Sequence, residues 1–362
     1  MQLYIPYALQ IAGQPTPDWK VSVLGRGGWV HSQQSTAGLS GDVETITDTV
    51  ANGTMTYLGI PGIQPFASIN LNIPTGKSVL TGSAANARMD PDLVEIGSFG
   101  EGWNIGPTVG VNLPVTQNLI VTASVGYTWR GEFDRERSSA EINPALQSLT
   151  SLDPGDTITG TASIGYQGDV WAWTVTGSVS EETTTTENGI ELYRAGRRYR
   201  GTGTVSYKWP AQIGQTTLNG SIAHSLRNQV RFLGAPTLVT ESVNTNSNLY
   251  RVGLQHLFAF DRLAIGPTGS FLFRDTNAYD TTTLQFVPEK ERWAAGGILR
   301  YAVGKHVTIN ARVEHVWTHE DERSAPGGQQ FSVLANAFVA GSSVPVVSST
   351  GWVFAGGVNV KF

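Results

Sequence analysis

Apolar and polar residues alternate along most of this chain with a period of two, the pattern of a β-strand that presents one apolar face. The clearest example is the pair of segments 103–113 and 119–129, which a short turn at 114–118 joins. This arrangement predicts a β-hairpin. The last segment, 351–362, alternates in the same way and ends on the aromatic residue Phe362. No run of about 18 apolar residues occurs, so a transmembrane helix is not expected.

Segments of this kind recur along the chain and are separated in turn by short turns and by long polar connections. We predict about fourteen strands, with twelve as the alternative. The count depends on whether residues 55–73 form two short strands, as predicted, or one long irregular strand. The connection 131–156 is expected to include a brief helix around residues 145–149. The predicted strands are 19–29, 55–59, 67–73, 103–113, 119–129, 158–166, 171–179, 190–209, 218–226, 250–258, 263–273, 293–301, 307–317 and 351–362.

The connections are short at one end of the strands and long and acidic at the other. Together with the apolar faces, this asymmetry predicts an all-β fold: a transmembrane antiparallel up-and-down β-barrel with short periplasmic turns and long acidic outer loops. A soluble β-sandwich or jelly roll would also alternate, but it does not explain why the two ends differ. The C-terminal strand is expected to close the barrel by pairing with the strand at 19–29.

The N-terminal segment reads differently, because Pro6, Pro15 and Pro17 interrupt it and no clear alternation is evident. We expect residues 1–17 to be a periplasmic lead-in or a plug segment in the lumen, and residues 18–362 to form a single transmembrane β-barrel. The start of the chain lacks the basic and long apolar regions of a signal peptide. A mature or trimmed chain is therefore expected.

Composition narrows the function classes. Charged residues make up 15% of the chain, against about a quarter in soluble proteins, which favours a membrane protein. A net charge of -5 argues against a nucleic-acid-binding protein, which would carry a basic excess. The chain has no cysteine, so neither disulfides nor thiolate chemistry is expected.

The tryptophans fall on the apolar face of the predicted strands, several of them close to strand ends. Amphipathic indole rings favour the interface between membrane and water. The predicted membrane-interface aromatics are Trp29, Trp129, Trp171, Trp173, Trp209, Trp293, Trp317, Trp352 and Phe362.

The opposite face carries an excess of cations, although the protein as a whole is acidic. A ring of cations in a water-filled pore attracts anions. The competing interpretation is that each cation pairs with a carboxylate to cross-link the inner wall. The predicted lumen-lining residues are Arg26, Arg130, Arg198, Arg200, Lys208, Arg251, Arg274, Arg292, Arg300, Arg312 and Glu314.

No arrangement of residues indicates catalysis. His315 and His319 are four residues apart, but this spacing places two ligands together only on a helix, and the segment is predicted as a strand. The run 319–322 is interpreted as a solvated acidic loop tip. The chain is therefore not expected to be an enzyme, and no cofactor or metal site is predicted.

The aromatic C-terminal strand resembles the last strand of bacterial outer-membrane β-barrels. Within that group, residues 73–77 and 100–106 resemble barrels related to the long-chain fatty acid transporter and porins of aromatic-degradation pathways. Size and layout are also similar to the export barrel of functional-amyloid systems. These resemblances imply localisation in the bacterial outer membrane of Gram-negative cells, contact with outer-membrane lipid, and recognition of the C-terminal strand by the barrel-assembly machinery.

The expected function is a channel that passes small or extended solutes through a basic, water-filled lumen. Its cargo would be a small anionic solute or, in secretion, an exported polypeptide. The alternative is a structural, adhesive or partner-binding barrel with a plugged lumen and functional outer loops. No nucleic-acid partner is expected, and the oligomeric state is left open.

Overall fold

The structure is a computed structural model that describes residues 2–36, 39–87, 98–136, 149–210, 213–231, 235–281, 286–322, 329–332, 337–340 and 346–360. In these ranges the regular structure is β-strand apart from one short 3-10 helix, Gly82–Ala87. No helix in the described part of the chain is long and apolar enough to cross a membrane.

The strands are numbered in chain order. They are β1 (Gln2–Thr16), β2 (Trp19–Thr36), β3 (Leu39–Ile46), β4 (Thr49–Tyr57), β5 (Gln64–Ile73), β6 (Asn104–Pro114), β7 (Leu119–Arg130), β8 (Phe133–Glu136), β9 (Leu149–Asp153), β10 (Thr157–Gln167), β11 (Trp171–Glu182), β12 (Thr185–Glu187), β13 (Ile190–Arg194), β14 (Arg198–Lys208), β15 (Gln215–Ser225), β16 (Gln229–Val230), β17 (Val239–Thr240), β18 (Leu249–Phe260), β19 (Leu263–Arg274), β20 (Lys290–Ala302), β21 (Val307–Glu320), β22 (Gln329–Ser332), β23 (Ala337–Ala340) and β24 (Val347–Val360).

Sixteen strands form one antiparallel sheet, in which neighbours in sequence are neighbours in space. Fifteen of them follow the path β1-β2-β4-β5-β6-β7-β10-β11-β14-β15-β18-β19-β20-β21-β24, and β3 pairs with β2 beside it. Each of the predicted strands corresponds to one strand of this path, and residues 55–73 contribute two of them, β4 and β5. The antiparallel up-and-down architecture of outer-membrane β-barrels is therefore confirmed.

The additional strand of the path is β1, where the sequence analysis expected a lead-in or a plug. Residues 2–16 pair with β2 along nearly their whole length, so this segment belongs to the sheet, and the expectation was wrong. Its apolar residues Leu3, Ile5 and Leu9 lie opposite His31, Trp29 and Gly25, and all three are exposed. Apolar residues do alternate regularly in this segment, and they lie on the same face as the outward residues of β2. The three prolines made this alternation hard to recognise in the sequence.

Large apolar side chains stand exposed at every second position of the main sheet. In β18, for example, Tyr250, Val252 and Leu254 are exposed. A water-soluble sheet of this size would cover such a face with a second layer. Exposure of a continuous apolar face to the surroundings is what contact with lipid requires.

Two prolines inside strands are accommodated by gaps in a ladder without a change of register. Pro107 in β6 and Pro267 in β19 each lie where pairing with one neighbouring strand is interrupted for two residues. Pairing resumes in the same register on either side, so neither a shifted strand nor an extra residue is needed. A proline has no N–H to donate, and the gap removes the need for one.

The sheet curls round on itself. Tyr4 of β1 and Asn359 of β24, from the two ends of the strand path, line the same cavity of ≈ 1120 Å³. Two ends of one sheet can share a cavity only if the sheet curves into a barrel. We call the face with the exposed apolar side chains the outer face, and the opposite face the inner face.

The long connections gather at one end of the barrel, called here the loop end, and the short turns lie at the other, called the turn end. At the loop end, β8, β9, β12, β13, β16 and β17 form a second, six-stranded sheet. Leu152, Leu192 and Val230 are buried there.

Two predicted elements at the loop end differ from the structure. The predicted strand 190–209 is divided into β13 and β14. Of the predicted helix around 145–149, Leu149 begins strand β9 and the rest lies outside the described residues.

Candidate functional site

The inner face of the barrel is polar and carries most of the candidate residues. Register places Arg200 opposite Ser178 and Ala223, while the adjacent Tyr199 is exposed on the outer face. Near the turn end, Lys20, Ser22 and other polar side chains line a second cavity of ≈ 490 Å³. The inner wall therefore borders space that water can occupy.

Some of the predicted lumen residues form a chain of ion pairs at the loop end. Arg130 lies 3.7 Å from Glu101 and 3.9 Å from Glu182, and Arg198 lies 3.9 Å from the same Glu182. These side chains are partly exposed, so each contact stabilises the barrel by about 0–1 kcal/mol. For Arg130 and Arg198, cross-linking of the wall is the better interpretation.

Two more predicted cations are also paired. Arg274 lies 3.2 Å from Glu320, which Lys290 also approaches to 3.4 Å. Arg312 lies 2.6 Å from Glu314, whose side chain is only 5% exposed. A buried carboxylate needs such a partner, and here both partners belong to the one strand β21.

The remaining predicted cations have no carboxylate within 4.0 Å among the residues that the structure describes. Arg251 and Arg292 lie opposite the same residue, Leu272 of β19, which places their Cα atoms about 10 Å apart across three strands. The Nε atom of Arg292 is buried without a recorded partner in the described residues. The unpaired group consists of Arg26, Arg200, Lys208, Arg251, Arg292 and Arg300.

Arg200, Arg251 and Arg292 are called the cation patch. Arg200 lies opposite Ala223 and Arg251 opposite Ser221 on the intervening strand β15. The patch therefore crosses the inner wall from β14 to β20, a short distance inside the loop end. It carries positive charge, and no carboxylate among the described residues lies within 4.0 Å of its guanidinium nitrogens.

A segment of the β5–β6 connection lies against the inner face at the loop end. Leu80, Ala87 and Phe99 form a buried cluster with Val30 of β2 and Val43 of β3. The sequence analysis expected only an outer loop between the predicted strands 67–73 and 103–113 and did not predict this packing. The described parts of the connection narrow the space inside the barrel on the side of β1 and β2.

Asp48 fastens this segment to the wall. Its carboxylate accepts hydrogen bonds from the Asn72 side chain at 2.6 Å and from the N–H groups of Gly76 at 2.9 Å and Glu101 at 2.7 Å. The Asp48 N–H also donates to the Phe99 carbonyl at 3.0 Å. Arg26, Asp48 and Glu101 line the larger cavity together. In the sequence, Asp48 was one acid among several in a polar loop.

The interface aromatics stand on the outer face. Trp129, Trp171, Trp209, Trp293, Trp317 and Trp352 are exposed there, while Trp29 and Trp173 are half-buried by ring neighbours. Phe362 lies outside the described residues. Their contact with a membrane interface stays a prediction.

Histidines on the outer face are hydrogen-bonded to neighbouring strands. The partners of His224, His256 and His315 are Asn248 at 2.6 Å, Thr216 at 2.8 Å and Thr350 at 3.0 Å, respectively. His315 also packs edge-on against Trp317 and Trp352. These contacts explain how imidazole rings are accommodated on an apolar face.

No protein-family model matches this chain, and no curated protein matches it. Similar solved structures include a FadL homologue from Pseudomonas aeruginosa, with 10% identity over 99% of this chain and 89% of that chain and a TM-score of 0.43. The copper transporter OprC has 8% identity over 97% of this chain and 71% of its own, with a TM-score of 0.39. The outer membrane transporter YddB from Escherichia coli has 8% identity over 97% and 61%, with a TM-score of 0.34.

All three are bacterial outer-membrane proteins, the location that the sequence predicts for this chain. Of these three, OprC alone has a name that states a cargo, copper, and a similarity at this level assigns no cargo to this chain. The function is therefore argued from the geometry of its own inner wall.

Proposed function

We propose that this chain is a bacterial outer-membrane channel that passes small or extended solutes through a basic, water-filled lumen and favours anions. The observation that carries the proposal is the cation patch. Glu182, Glu314 and Glu320 of the inner wall are engaged in ion pairs, whereas Arg200, Arg251 and Arg292 have no carboxylate within reach in the described residues. Fixed positive charge beside a water-filled path raises the local concentration of anions.

The test is the ion selectivity of the purified full chain in planar bilayers. Under a potassium chloride gradient, the reversal potential should indicate preference for chloride. In the double variant Arg200→Glu, Arg251→Glu, this preference should weaken or reverse, because two positive charges at the wall become negative.

Lys305→Glu is the control, since Lys305 is exposed in the β20–β21 turn and the variant reverses one charge away from the patch, as each of the two patch substitutions does within it. An unchanged reversal potential in the double variant, or the same shift in the control, would contradict the basic-lumen proposal. If the wild-type chain never conducts ions in bilayers, the proposal that it is a channel is wrong.

A second candidate is a structural or partner-binding barrel whose lumen is closed. The buried cluster of Val30, Val43, Leu80, Ala87 and Phe99 on the inner side of the loop end favours it, as does the ordered six-stranded sheet beyond it. Such a protein would be silent in bilayers, and it would stay silent after release of the segment that Asp48 holds.

A further inference from the structure

Four arginines occur in residues 194–200, and their side chains lie on opposite faces of the barrel. Arg198 and Arg200 lie opposite Ser180 and Ser178 on the inner face. Arg194 and Arg197 instead contact the carboxylate of Glu181, with nitrogen–oxygen distances of 2.7 and 2.9 Å. Two guanidinium groups therefore converge on one carboxylate.

Glu181 belongs to the outer face of the barrel. It lies opposite Ile158 and two residues after Val179, and both of these apolar side chains are exposed. Tyr199 lies opposite Val179 and stacks with His224 at 6.4 Å between ring centroids. The two arginines thus stand on the outer surface, directly beyond an apolar and aromatic strip at the loop end.

The charge of this cluster does not cancel, because two cations surround one carboxylate. The Arg194 side chain is 39% exposed and that of Arg197 49%. Each guanidinium has five N–H donors, and the recorded contacts with Glu181 and with the Glu182 carbonyl engage three of the ten. Guanidinium groups with outward N–H donors bind phosphate in a bidentate manner.

We propose that Arg194 and Arg197 form a binding site for the phosphorylated headgroup of an outer-leaflet lipid. The phosphate would bind beside the two guanidinium groups, and the acyl chains would lie along Tyr199, Val179 and Ile158. The site combines positive charge with an adjoining apolar surface, which is the chemistry of an anionic lipid. The proposal rests on the membrane location in the proposed function but not on an open lumen.

Native mass spectrometry of the full chain in detergent tests this proposal. The probes are diphosphorylated lipid A and the same lipid without phosphate. The wild type should retain the phosphorylated lipid preferentially. The variant Arg194→Gln, Arg197→Gln should bind it about tenfold more weakly or worse, since charge-assisted hydrogen bonds to phosphate are lost.

The matched control is Arg198→Gln, Arg200→Gln, which removes the same charge from the inner face of the same segment. It should keep lipid binding and show weaker anion selectivity, whereas the outer-face variant should lose lipid binding and keep the anion selectivity. If the wild-type chain does not conduct ions but still prefers the phosphorylated lipid, the channel proposal is wrong and the lipid-site proposal is supported.

Equal retention of both lipids by the wild type would overturn the proposal, and so would undiminished binding by the outer-face variant. If that double variant does not fold, Arg197→Gln alone applies the test, because its exposed side chain supports no core. Competition by millimolar inorganic phosphate would identify a general phosphate site. Absence of competition, with lipid retention intact, would identify a site specific for the lipid headgroup.

Discussion

At the scale of single residues, the inner wall shows how a barrel can bury a charge. The Glu314 carboxylate is held by Arg312, and Glu314 lies opposite Gly296 across the ladder. A Cβ atom at Gly296 would lie 1.9 Å from the Val313 carbonyl oxygen and 2.8 Å from Glu314 Cγ. The missing side chain of Gly296 makes room for the carboxylate.

Gly296→Ala should therefore destabilise the barrel by roughly 1–3 kcal/mol, the usual cost of overpacking. Urea unfolding in lipid vesicles, followed by tryptophan fluorescence, measures the change. Gly177→Ala in β11 is the control, since an added Cβ there meets nothing within 4 Å. Equal stability of the two variants would show that the Gly296 site tolerates a side chain.

At the scale of elements, the β5–β6 connection is the part of the molecule best placed to set the width of the passage. Its described residues are held against the inner face by the buried cluster around Phe99 and by two hydrogen bonds to the Asp48 carboxylate, from the N–H groups of Gly76 and Glu101. Hydrogen bonds to a charged group contribute about 1.5–3 kcal/mol each. Loss of this one carboxylate should therefore release the segment without unfolding the sheet.

Asp48→Ala should raise the single-channel conductance and make the 74–102 segment more sensitive to limited proteolysis. The control is Asp42→Ala, which removes a carboxylate from exposed Asp42 in the neighbouring strand β3 and leaves the segment attached. If Asp48→Ala conducts as the wild type does, the segment does not limit the passage.

Particular residues show how far the sequence could predict these elements. Period-two alternation located the long strands, because an apolar face exposed to lipid must repeat at every second residue. It missed β1, where prolines obscured Leu3, Ile5 and Leu9, and it missed short strands such as β12, which has only three residues. Parity placed Arg198 on the inner face, but its contact with Glu182 depends on how β11 and β14 are paired, which the sequence does not specify.

At the scale of the whole molecule, the seam of the barrel differs from the one expected. Direction alternates along the fifteen strands of the path, so the last strand, β24, runs parallel to the first, β1. In the expected arrangement β24 would pair antiparallel with β2. In the structure that edge of β2 is occupied by β1, and β24 meets β1 across the larger cavity.

The absence of cysteine allows this seam to be tested by cross-linking. Ala12 and Ser22 are cross-strand partners in β1 and β2, and such pairs have Cα atoms about 4.5–5.5 Å apart, a distance that a disulfide spans. Ala12→Cys, Ser22→Cys should form a disulfide on oxidation. Trypsin cleaves after Lys20 and Arg26, so mass spectrometry should find peptides 1–20 and 21–26 joined.

Ala12→Cys, Val23→Cys is the control, because Val23 lies opposite Ile11 on the outer face and its thiol would point away from residue 12. Cysteines placed singly at Val353, Ala355 and Asn359 of β24 should not cross-link to Ser22→Cys. A disulfide between β24 and β2, together with none between residues 12 and 22, would show that β24 pairs with β2, as the sequence predicted. In that case β1 would not be a strand of the barrel wall. Cross-linking of residues 12 and 22 alone would establish β1 as a wall strand, with the cavity at Tyr4 and Asn359 lying where the first and last strands meet.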